Sequence, residues 1–278
     1  MLIAQLSDFH VTASGTAYGR AETTQALERA VAHVKALVPA ADAVVVTGDV
    51  ADAGQPEAYA EAARILGGLD VPLWIVPGNH DQRERLREAF PDHEYMAAGP
   101  VGDSLCFVED RFALRLVGLD TLLPGRHGGG LDKRELLWLE AVLGDGKPSV
   151  IFMHHPPFPV GIGNMDAEAF VMADELEAVI SRAPNVLRIC CGHMHRPVMR
   201  SFGGTMVCIA PSVAMQLALD LTLEAPSQFM LEPAGLALHL YEPLAGRPPE
   251  LVTHFGLIPG GGHSFPGPYP FADVVSPV

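Results

Sequence analysis

Five short clusters of aspartate, asparagine and histidine lie between residues 8 and 195, and each follows an apolar run. The clusters are Asp8 with His10, Asp49, Asn79 with His80, His154 with His155, and His193 with His195. Their donor atoms are oxygens and imidazole nitrogens without thiolates, a set that suits divalent Zn, Mn, Fe or Co better than a structural cysteine–zinc site does. In Asp8-x-His10 and His193-x-His195, alternate residues on extended backbone can reach one centre. The sequence therefore indicates a metal site with ligands from distant parts of the chain.

Asp49 illustrates where these clusters lie in the predicted elements. It follows residues 44–47, a β-branched run typical of a strand buried on both faces. In an open α/β sheet, the groups just beyond the carboxyl ends of the strands line the ligand crevice. Gly48-Asp49 taken alone is also a common turn sequence. The presence of the other four clusters is what favours a ligand role.

Strands and helices alternate through most of the chain. Predicted strands cover residues 2–6, 44–47, 72–76, 149–153 and 186–191. Predicted helices cover residues 20–37, 56–66, 82–88 and 167–181, with a further helix capped by Asp132. Because right-handed crossovers place the carboxyl ends of parallel strands together, we expect all five clusters at the same edge of one sheet.

The later part of the chain has a different pattern. A hairpin is predicted within residues 104–120, and after His195 short β-like runs follow at residues 198–202, 206–209, 228–231 and 236–241. We expect these later runs to form a second sheet packed beside the first. Residues 1–256 are predicted to be one domain, and residues 257–278, rich in glycine and proline, an extended or disordered tail.

Composition excludes some function classes. The formal net charge of −15 argues against a basic nucleic-acid groove or an anionic-membrane patch. An anionic substrate would then need local positive charge, which metal ions can supply. The four cysteines have no CxxC spacing and are expected to be core thiols in a reducing compartment. Without a basic leader or an apolar run of membrane-spanning length, we expect a cytoplasmic protein.

The clusters and their neighbours resemble the signature of a known family. The motifs are Asp8-x-His10, Gly48-Asp49, Gly78-Asn79-His80-Asp81, His154-His155 and Gly192-His193-x-His195. Together they resemble, in order and in spacing, the signature of the calcineurin-like metallophosphoesterases over residues 2 to about 210. The resemblance implies an α/β fold of four layers, an α/β/β/α sandwich with two mixed β-sheets, and a dinuclear metal centre.

The resemblance also implies roles for individual residues. One divalent metal ion would be bound by Asp8, His10, Asp49 and His195, and a second by Asp49, Asn79, His154 and His193. Asp49 would bridge the two ions. His80 would stabilise charge on the phosphoryl group or help to protonate the leaving group, and Asp81 would orient His80 or its loop. Two adjacent cations neutralise a phosphoryl group and lower the pKa of a bound water so that it can attack.

Other residues have plainer interpretations. His155 either turns inward behind the ligands or simply packs. Five further histidines are predicted to be surface or packed residues without a catalytic role: His33, His93, His127, His239 and His254. Trp74 and Phe152 are expected in the core, and Met165 and Met194 are expected to pack. Loops at residues 11–19, 121–130 and 157–166 are the predicted walls of the site.

Within the family, the chain is similar to bacterial phosphodiesterases that act on cyclic nucleotides or glycerophosphodiesters. The similarity rests on chain length, on Tyr18-Gly19 after the first motif and on His154-His155-Pro156-Pro157. It departs at residues 213–216, Val-Ala-Met-Gln, where some diesterase relatives have a histidine. We therefore predict hydrolysis of a small phosphodiester, with neither a nucleic-acid polymer nor a membrane as partner.

Three alternatives remain open from the sequence. They are a phosphomonoesterase or protein phosphatase on the same centre, a nuclease, which the acidic composition disfavours, and a non-catalytic binding module, which the complete ligand set disfavours. Relatives in this branch are commonly dimers or dimer-based oligomers that pair through C-terminal β elements. The apolar runs after residue 205 therefore predict a homodimer or a dimer-based oligomer.

Overall fold

The computed structural model describes residues 1–97, 99–242, 247–248, 250–260 and 262. The strands are β1 (Leu2–Leu6), β2 (Ala43–Thr47), β3 (Leu73–Val76), β4 (Phe107–Glu109), β5 (Arg115–Gly118), β6 (Ser149–Phe152), β7 (Val186–Cys191), β8 (Val198–Phe202), β9 (Thr205–Ile209), β10 (Gln216–Leu217), β11 (Phe229–Met230), β12 (Gly235–Glu242) and β13 (Glu250–Leu257). The helices are α1 (Thr23–Lys35), α2 (Pro56–Leu66), α3 (Arg83–Ala89), α4 (Glu94–Ala97), α5 (Lys133–Leu143) and α6 (Ala173–Ser181).

Two large mixed sheets form the centre of the fold, as predicted. The first has the order β13-β12-β1-β2-β3, with β1, β2 and β3 parallel and β12 and β13 antiparallel. The second has the order β4-β5-β6-β7-β9-β8, in which the four inner strands are parallel and both edge strands antiparallel. In each sheet, the parallel strands deliver their carboxyl ends to one edge.

The alternation of side chains along β2 shows how the layers pack. Val44 and Val46 pack on the outer face against α1 and α2, whereas Val45 lies in the apolar cluster between the two sheets. Trp74 and Phe152, predicted as core, lie in that inter-sheet cluster. The outer face of the second sheet packs against α5 and α6. The layers are therefore helices, sheet, sheet and helices, which confirms the predicted four-layer sandwich.

Two predictions about the sheets are wrong in detail. The second sheet is not built from the late runs alone, because β4 to β7 belong to it, and β12 instead pairs with β1 in the first sheet, with Ala4 opposite Leu238. All residues of β1 are buried, so its free edge has to be covered by another strand. Because β6 and β7 belong to the second sheet, the five clusters do not lie on one sheet. Three clusters follow β1, β2 and β3 of the first sheet, and two follow β6 and β7.

Helix bounds mostly match the periodicity, with one clear difference. α2 has the predicted bounds, and α1 is a few residues shorter than predicted. The helix predicted at residues 167–181 begins only at Ala173. Val171 instead forms a parallel bridge with Gly130, and Met172 has a left-handed backbone conformation with φ of 65°. This tertiary pairing holds residues 167–172 in a loop despite their apolar content.

The end of the chain is only partly described. Leu257 is the last residue of β13, and Ile258 is buried against the core of the first sheet. The remainder of the predicted tail lies outside the described residues, apart from residues 259, 260 and 262. Among the described residues, none of the helices has the length and apolar character needed to span a membrane.

Asp132 caps α5 as predicted, and this gives a first test. Its carboxylate accepts hydrogen bonds from Arg134 N (2.7 Å) and Glu135 N (3.0 Å), and Glu135 Oε2 accepts from Asp132 N (2.7 Å). We expect Asp132→Ala to lower the free energy of unfolding by about 1 kcal/mol, because this capping box is lost. Asp132→Ser, which keeps a cap, should retain most of the stability in urea denaturation. Equal stabilities of the two variants would contradict this role.

Candidate metal centre

The five strand ends from the two sheets meet in one place. His193 N, after β7, donates a hydrogen bond to Asp8 Oδ1 (3.0 Å), after β1. His154, after β6, bonds through Nδ1 to the carbonyl oxygen of Thr47 in β2 (2.6 Å). Ser212 Oγ, beyond β9, donates to the carbonyl oxygen of Asp8 (2.8 Å). These bonds connect the carboxyl edges of both sheets around a common centre.

The predicted ligand residues are all brought together at this centre. Ligand atoms of Asp8, His10, Asp49 and His195 lie within 4.8 Å of one another. On the other side of Asp49, His154 Nε2 is 3.4 Å from Asp49 Oδ2 and 3.1 Å from Asn79 Oδ1. The ring of His193 lies with its centroid 5.1 Å from that of His154. Asp49 therefore lies between two groups of donors, as a bridging carboxylate must.

The backbone is strained where it presents the ligands. Five predicted ligands have positive φ values: Asp8 (58°), His10 (48°), Asp49 (52°), His193 (69°) and His195 (49°). Such conformations are uncommon outside glycine, and each costs on the order of 1–3 kcal/mol, so it persists only where the surrounding structure enforces it. The glycines of the motifs permit the close approach, because a Cβ on Gly48 would lie 2.4 Å from His154 Nδ1 and one on Gly78 2.1 Å from Asp49 Oδ1.

Three of the predicted ligand histidines are oriented by hydrogen bonds at Nδ1. His154 bonds to the Thr47 carbonyl, His195 to the Met215 carbonyl (2.8 Å) and His10 to Asp52 Oδ1 (2.9 Å). Since a carbonyl oxygen or a carboxylate can only accept, a proton lies on Nδ1 of each ring, and in the neutral form of the ring the Nε2 lone pair faces the centre. This is the tautomer in which a histidine binds a metal ion through Nε2.

The donor atoms are crowded in a way that calls for a cation. His10 Nε2 lies 3.0 Å from His195 Nε2 and 3.4 Å from Asp49 Oδ2. Asp8 Oδ2 is buried and has no hydrogen-bond partner among the residues that the structure describes. Lone pairs in such proximity repel unless positive charge lies between them. The residues therefore fit divalent metal ions, and the oxygen and nitrogen donors match the set that such ions prefer.

The pKa shifts of the buried side chains also reflect the electrostatics of the centre. Burial alone would lower the pKa of His154, but the charges of Asp49 and Asp8 raise that pKa to about 9. Burial would likewise raise the pKa of Asp49, yet His154 and His80 hold it well below its usual value. Burial raises the pKa of Asp8 to about 6 and lowers the pKa of His195 to about 4. The carboxylates thus favour positive charge at His154, whereas burial favours the neutral form of His195.

Asp52 lies at the centre, and the sequence analysis did not predict it. Its carboxylate accepts hydrogen bonds from His10 Nδ1 and from Tyr18 Oη (2.7 Å), and its carbonyl oxygen accepts from His80 Nδ1 (2.7 Å). Burial would raise the pKa of Asp52, but the hydrogen bonds from His10 and Tyr18 lower it. The sequence did offer one signal for Asp52: it lies three residues after Asp49, on the loop that follows β2.

His80 and Asp81 are adjacent in sequence but lie in different environments. His80 lines the cavity above the centre, with 29% of its side chain exposed. Its backbone N–H donates a hydrogen bond to Asp49 Oδ1 (2.9 Å). Asp81 is buried and accepts hydrogen bonds from Gly78 N (2.9 Å), Val50 N (3.1 Å), Ala51 N (3.2 Å) and Tyr59 Oη (3.1 Å). These bonds tie the Asp49 loop to the Asn79 loop.

Two further histidines lie near the centre. The role of His155 was left open by the sequence, and His127 was predicted to have no catalytic role. His155 turns inward: its Nδ1 bonds to Thr121 Oγ1 (2.8 Å), and its ring centroid lies 4.7 Å from those of both His154 and His193. Burial lowers the pKa of His155 well below its usual value. His127 lines the cavity, with its ring centroid 4.7 Å from that of His193.

A cavity of about 310 Å³ opens directly above the centre. All three predicted loops contribute to it, through Tyr18, His127 and Met165. A further wall was not predicted: it comes from the segments around β10 and β11, including Leu217 and Phe229. Tyr18 and Phe229 face each other with ring centroids 5.6 Å apart. Among the described residues, the lining contains no lysine or arginine.

Comparison with known proteins decides the family. The family model described as "Calcineurin-like phosphoesterase" matches residues 1–197. The chain belongs to this family. The matched residues contain all five ligand clusters, and the wall around β10 and β11 lies beyond them.

Relatives agree with this family assignment, and a solved structure agrees with the fold. The chain is 34% identical to a probable glycerophosphodiester phosphodiesterase from Arcobacter nitrofigilis, with 98% of this chain and 97% of the relative covered. It is 33% identical to a probable cyclic nucleotide phosphodiesterase from Rhodopseudomonas palustris, with 85% and 87% covered. A dimetal phosphatase from Danio rerio has a similar fold, with a TM-score of 0.62 at 16% identity over 91% of this chain and 98% of that one.

The position of Asp49 in this calcineurin-like phosphoesterase leads to a second prediction. We expect Asp49→Ala to fold, because the strands do not depend on this side chain, but to lose the bridging carboxylate. Metal analysis after dialysis should then find fewer ions per chain than in the wild type, with an unchanged far-ultraviolet circular dichroism spectrum. Wild-type metal content in this variant would contradict a bridging role.

The buried position of Asp81 leads to a third prediction. In Asp81→Asn an amide NH₂ would face backbone N–H groups, so we expect a loss of about 1–3 kcal/mol in unfolding free energy. Asp92→Asn, an exposed aspartate, is the matched control and should not change stability. Urea denaturation measures both. Wild-type stability in Asp81→Asn, with only turnover reduced, would point to direct participation in the reaction instead.

Proposed function

We propose that the protein is a metal-dependent phosphodiesterase that hydrolyses small phosphodiesters with two divalent ions. Asp8, His10, Asp49 and His195 would hold one ion, and Asp49, Asn79, His154 and His193 the other. When bound, two such ions neutralise phosphoryl charge and activate a water for attack on phosphorus. The observation that carries the proposal is the convergence of these donors below an open cavity. The ions could be Fe, Mn, Zn or Co.

The chain's own residues would divide the remaining work. Asp52 holds the tautomer and direction of His10, and its carbonyl oxygen fixes the ring of His80. His80 lines the cavity beside Asn79, where its imidazole can donate a hydrogen bond to a phosphoryl oxygen or a proton to the leaving oxygen. Asp81 acts as a positioning residue, because its hydrogen bonds hold the two ligand loops together.

The cavity favours a diester over a monoester. A monoester dianion has one more negative charge than a diester, and no lysine or arginine lines the described cavity to compensate for it. Apolar side chains, among them Leu217 and Phe229, instead offer a surface on which an ester substituent can pack. The names of the relatives, which include glycerophosphodiester and cyclic nucleotide phosphodiesterases, support the same choice.

Two further expectations belong to this proposal. The loop between β10 and β11 exposes three leucines, Leu219, Leu221 and Leu223, and this apolar surface supports a homodimer or a dimer-based oligomer. The cytoplasmic location expected from the sequence stays a prediction.

The substrate class can be tested directly. We expect protein reconstituted with Mn²⁺, Zn²⁺, Co²⁺ or Fe²⁺ to hydrolyse bis(4-nitrophenyl) phosphate with a higher kcat/KM than 4-nitrophenyl phosphate. His80→Ala should reduce kcat on the diester by about 10²- to 10⁴-fold. His254→Ala, an exposed histidine on β13, is the matched control and should behave as wild type.

Two outcomes would contradict the proposal. Faster hydrolysis of the monoester would assign the centre to a phosphomonoesterase. Full metal loading without hydrolysis of either ester would assign the chain to a non-catalytic binding module.

A further inference from the structure

A second cavity lies beside the catalytic one, and the reaction proposed above does not use it. Its volume is about 160 Å³, against about 310 Å³ for the catalytic cavity. The two cavities share two lining residues, His193 and Met165. Because His193 is a predicted ligand, the second cavity begins at the edge of the metal centre. The Met165 side chain, unbranched and flexible, forms the other part of the partition.

The walls of the second cavity are mainly apolar and stiff. They include Pro156, Pro157, Phe158 and Phe170. Two glycines of the loop at residues 121–130 also line it, where side chains have no room: a Cβ on Gly129 would lie 2.3 Å from the His155 ring, and one on Gly128 2.6 Å from the Cβ of Glu168. At about 30 Å³ for each water-sized unit of liquid, the cavity accommodates about five non-hydrogen atoms.

The charged groups around this cavity already have partners. Asp166 accepts hydrogen bonds from Val160 N (2.8 Å) and Gly161 N (2.7 Å). Glu168 forms an ion pair with Arg126 (2.9 Å). Arg200 is exposed and does not line the cavity; its guanidinium lies over the Phe158 ring, 4.7 Å from the centroid. Among the residues that line the cavity, a charged ligand group would therefore be desolvated without a free counter-ion, whereas an uncharged group would not incur this penalty.

We propose that the second cavity is the subsite for the smaller arm of an acyclic, asymmetric phosphodiester, and that it takes a compact uncharged alcohol of about five non-hydrogen atoms. This inference rests on the proposed function. The larger arm lies against Tyr18, Leu217 and Phe229 in the catalytic cavity, and Met165 moves aside to connect the two spaces. A cyclic nucleotide has both ester oxygens in one ring and fills only the larger cavity. The two cavities thus favour acyclic diesters over cyclic ones.

The subsite can be tested with substrates that share one leaving group. The probes are 4-nitrophenyl phosphates whose second arm is methyl, ethyl, butyl, 2-hydroxyethyl or 2-carboxyethyl; 3',5'-cyclic AMP, which lacks the nitrophenyl group, is the cyclic comparison. Wild-type protein should show a KM that falls from the methyl to the ethyl and 2-hydroxyethyl arms and rises for the carboxylate. Ala169→Phe adds bulk at the second cavity, since Ala169, although exposed, lines it. Ala167→Phe, also exposed and two positions away but outside the cavity lining, is the matched control.

In Ala169→Phe, we expect KM for the ethyl and 2-hydroxyethyl diesters to rise about tenfold, a loss of about 1.4 kcal/mol in binding. KM for the methyl diester and for cyclic AMP, kcat and metal content should stay unchanged. Met165→Ala, which opens the partition, should lower KM for a butyl arm. This second variant keeps the test decisive if Ala169→Phe does not fold.

The two possible failures can be distinguished. If wild-type protein hydrolyses the diesters but neither variant changes the preference among arms, the subsite is wrong and the diesterase stands. If the metal-loaded wild type does not hydrolyse any of the diesters, the proposed function is wrong and the subsite falls with it.

Discussion

The repulsion among buried acceptor atoms at the centre is the constraint on which the rest of the structure depends. Asp8, Asp49 and the Nε2 atoms of three histidines point at the same small volume, and without cations this arrangement would be unfavourable. Positive φ values at five ligands add backbone strain. Such an arrangement persists only because the surrounding scaffold enforces it. Metal binding would relieve the repulsion and so stabilise the folded protein.

The scaffold that enforces it is the pair of packed sheets. A single sheet offers one row of strand ends. Two sheets packed through the cluster that contains Val45 and Phe152 offer two facing rows, which can enclose two metal ions. The bonds from His193 N to Asp8 and from His154 to the Thr47 carbonyl join the two rows. Around them, Asp52, Asp81 and Thr121 hold the ligands or their neighbours through hydrogen bonds. Packing, topology and ligand geometry are therefore parts of one arrangement.

The sequence was informative where local chemistry decides the outcome. Apolar runs followed by Asp, Asn or His predicted the strands and the side chains that meet at the centre, since both depend on short stretches of chain. It was less informative where distant pairing decides: nothing local shows that β12 covers the free edge of β1, or that Val171 pairs with Gly130 and delays α6. Asp52 and the wall formed by Leu217 and Phe229 were missed for the same reason, because their roles come from neighbours far away in sequence.

The most direct measurement is anomalous X-ray diffraction from crystals of the wild-type protein grown with Mn²⁺. Two anomalous peaks about 3.5–4 Å apart are expected, one on each side of the Asp49 carboxylate, as in other two-metal hydrolytic sites. One should lie among Asp8, His10 and His195, and the other among Asn79, His154 and His193. A single peak, or peaks that do not contact Asp49, would contradict a dinuclear centre organised around this residue.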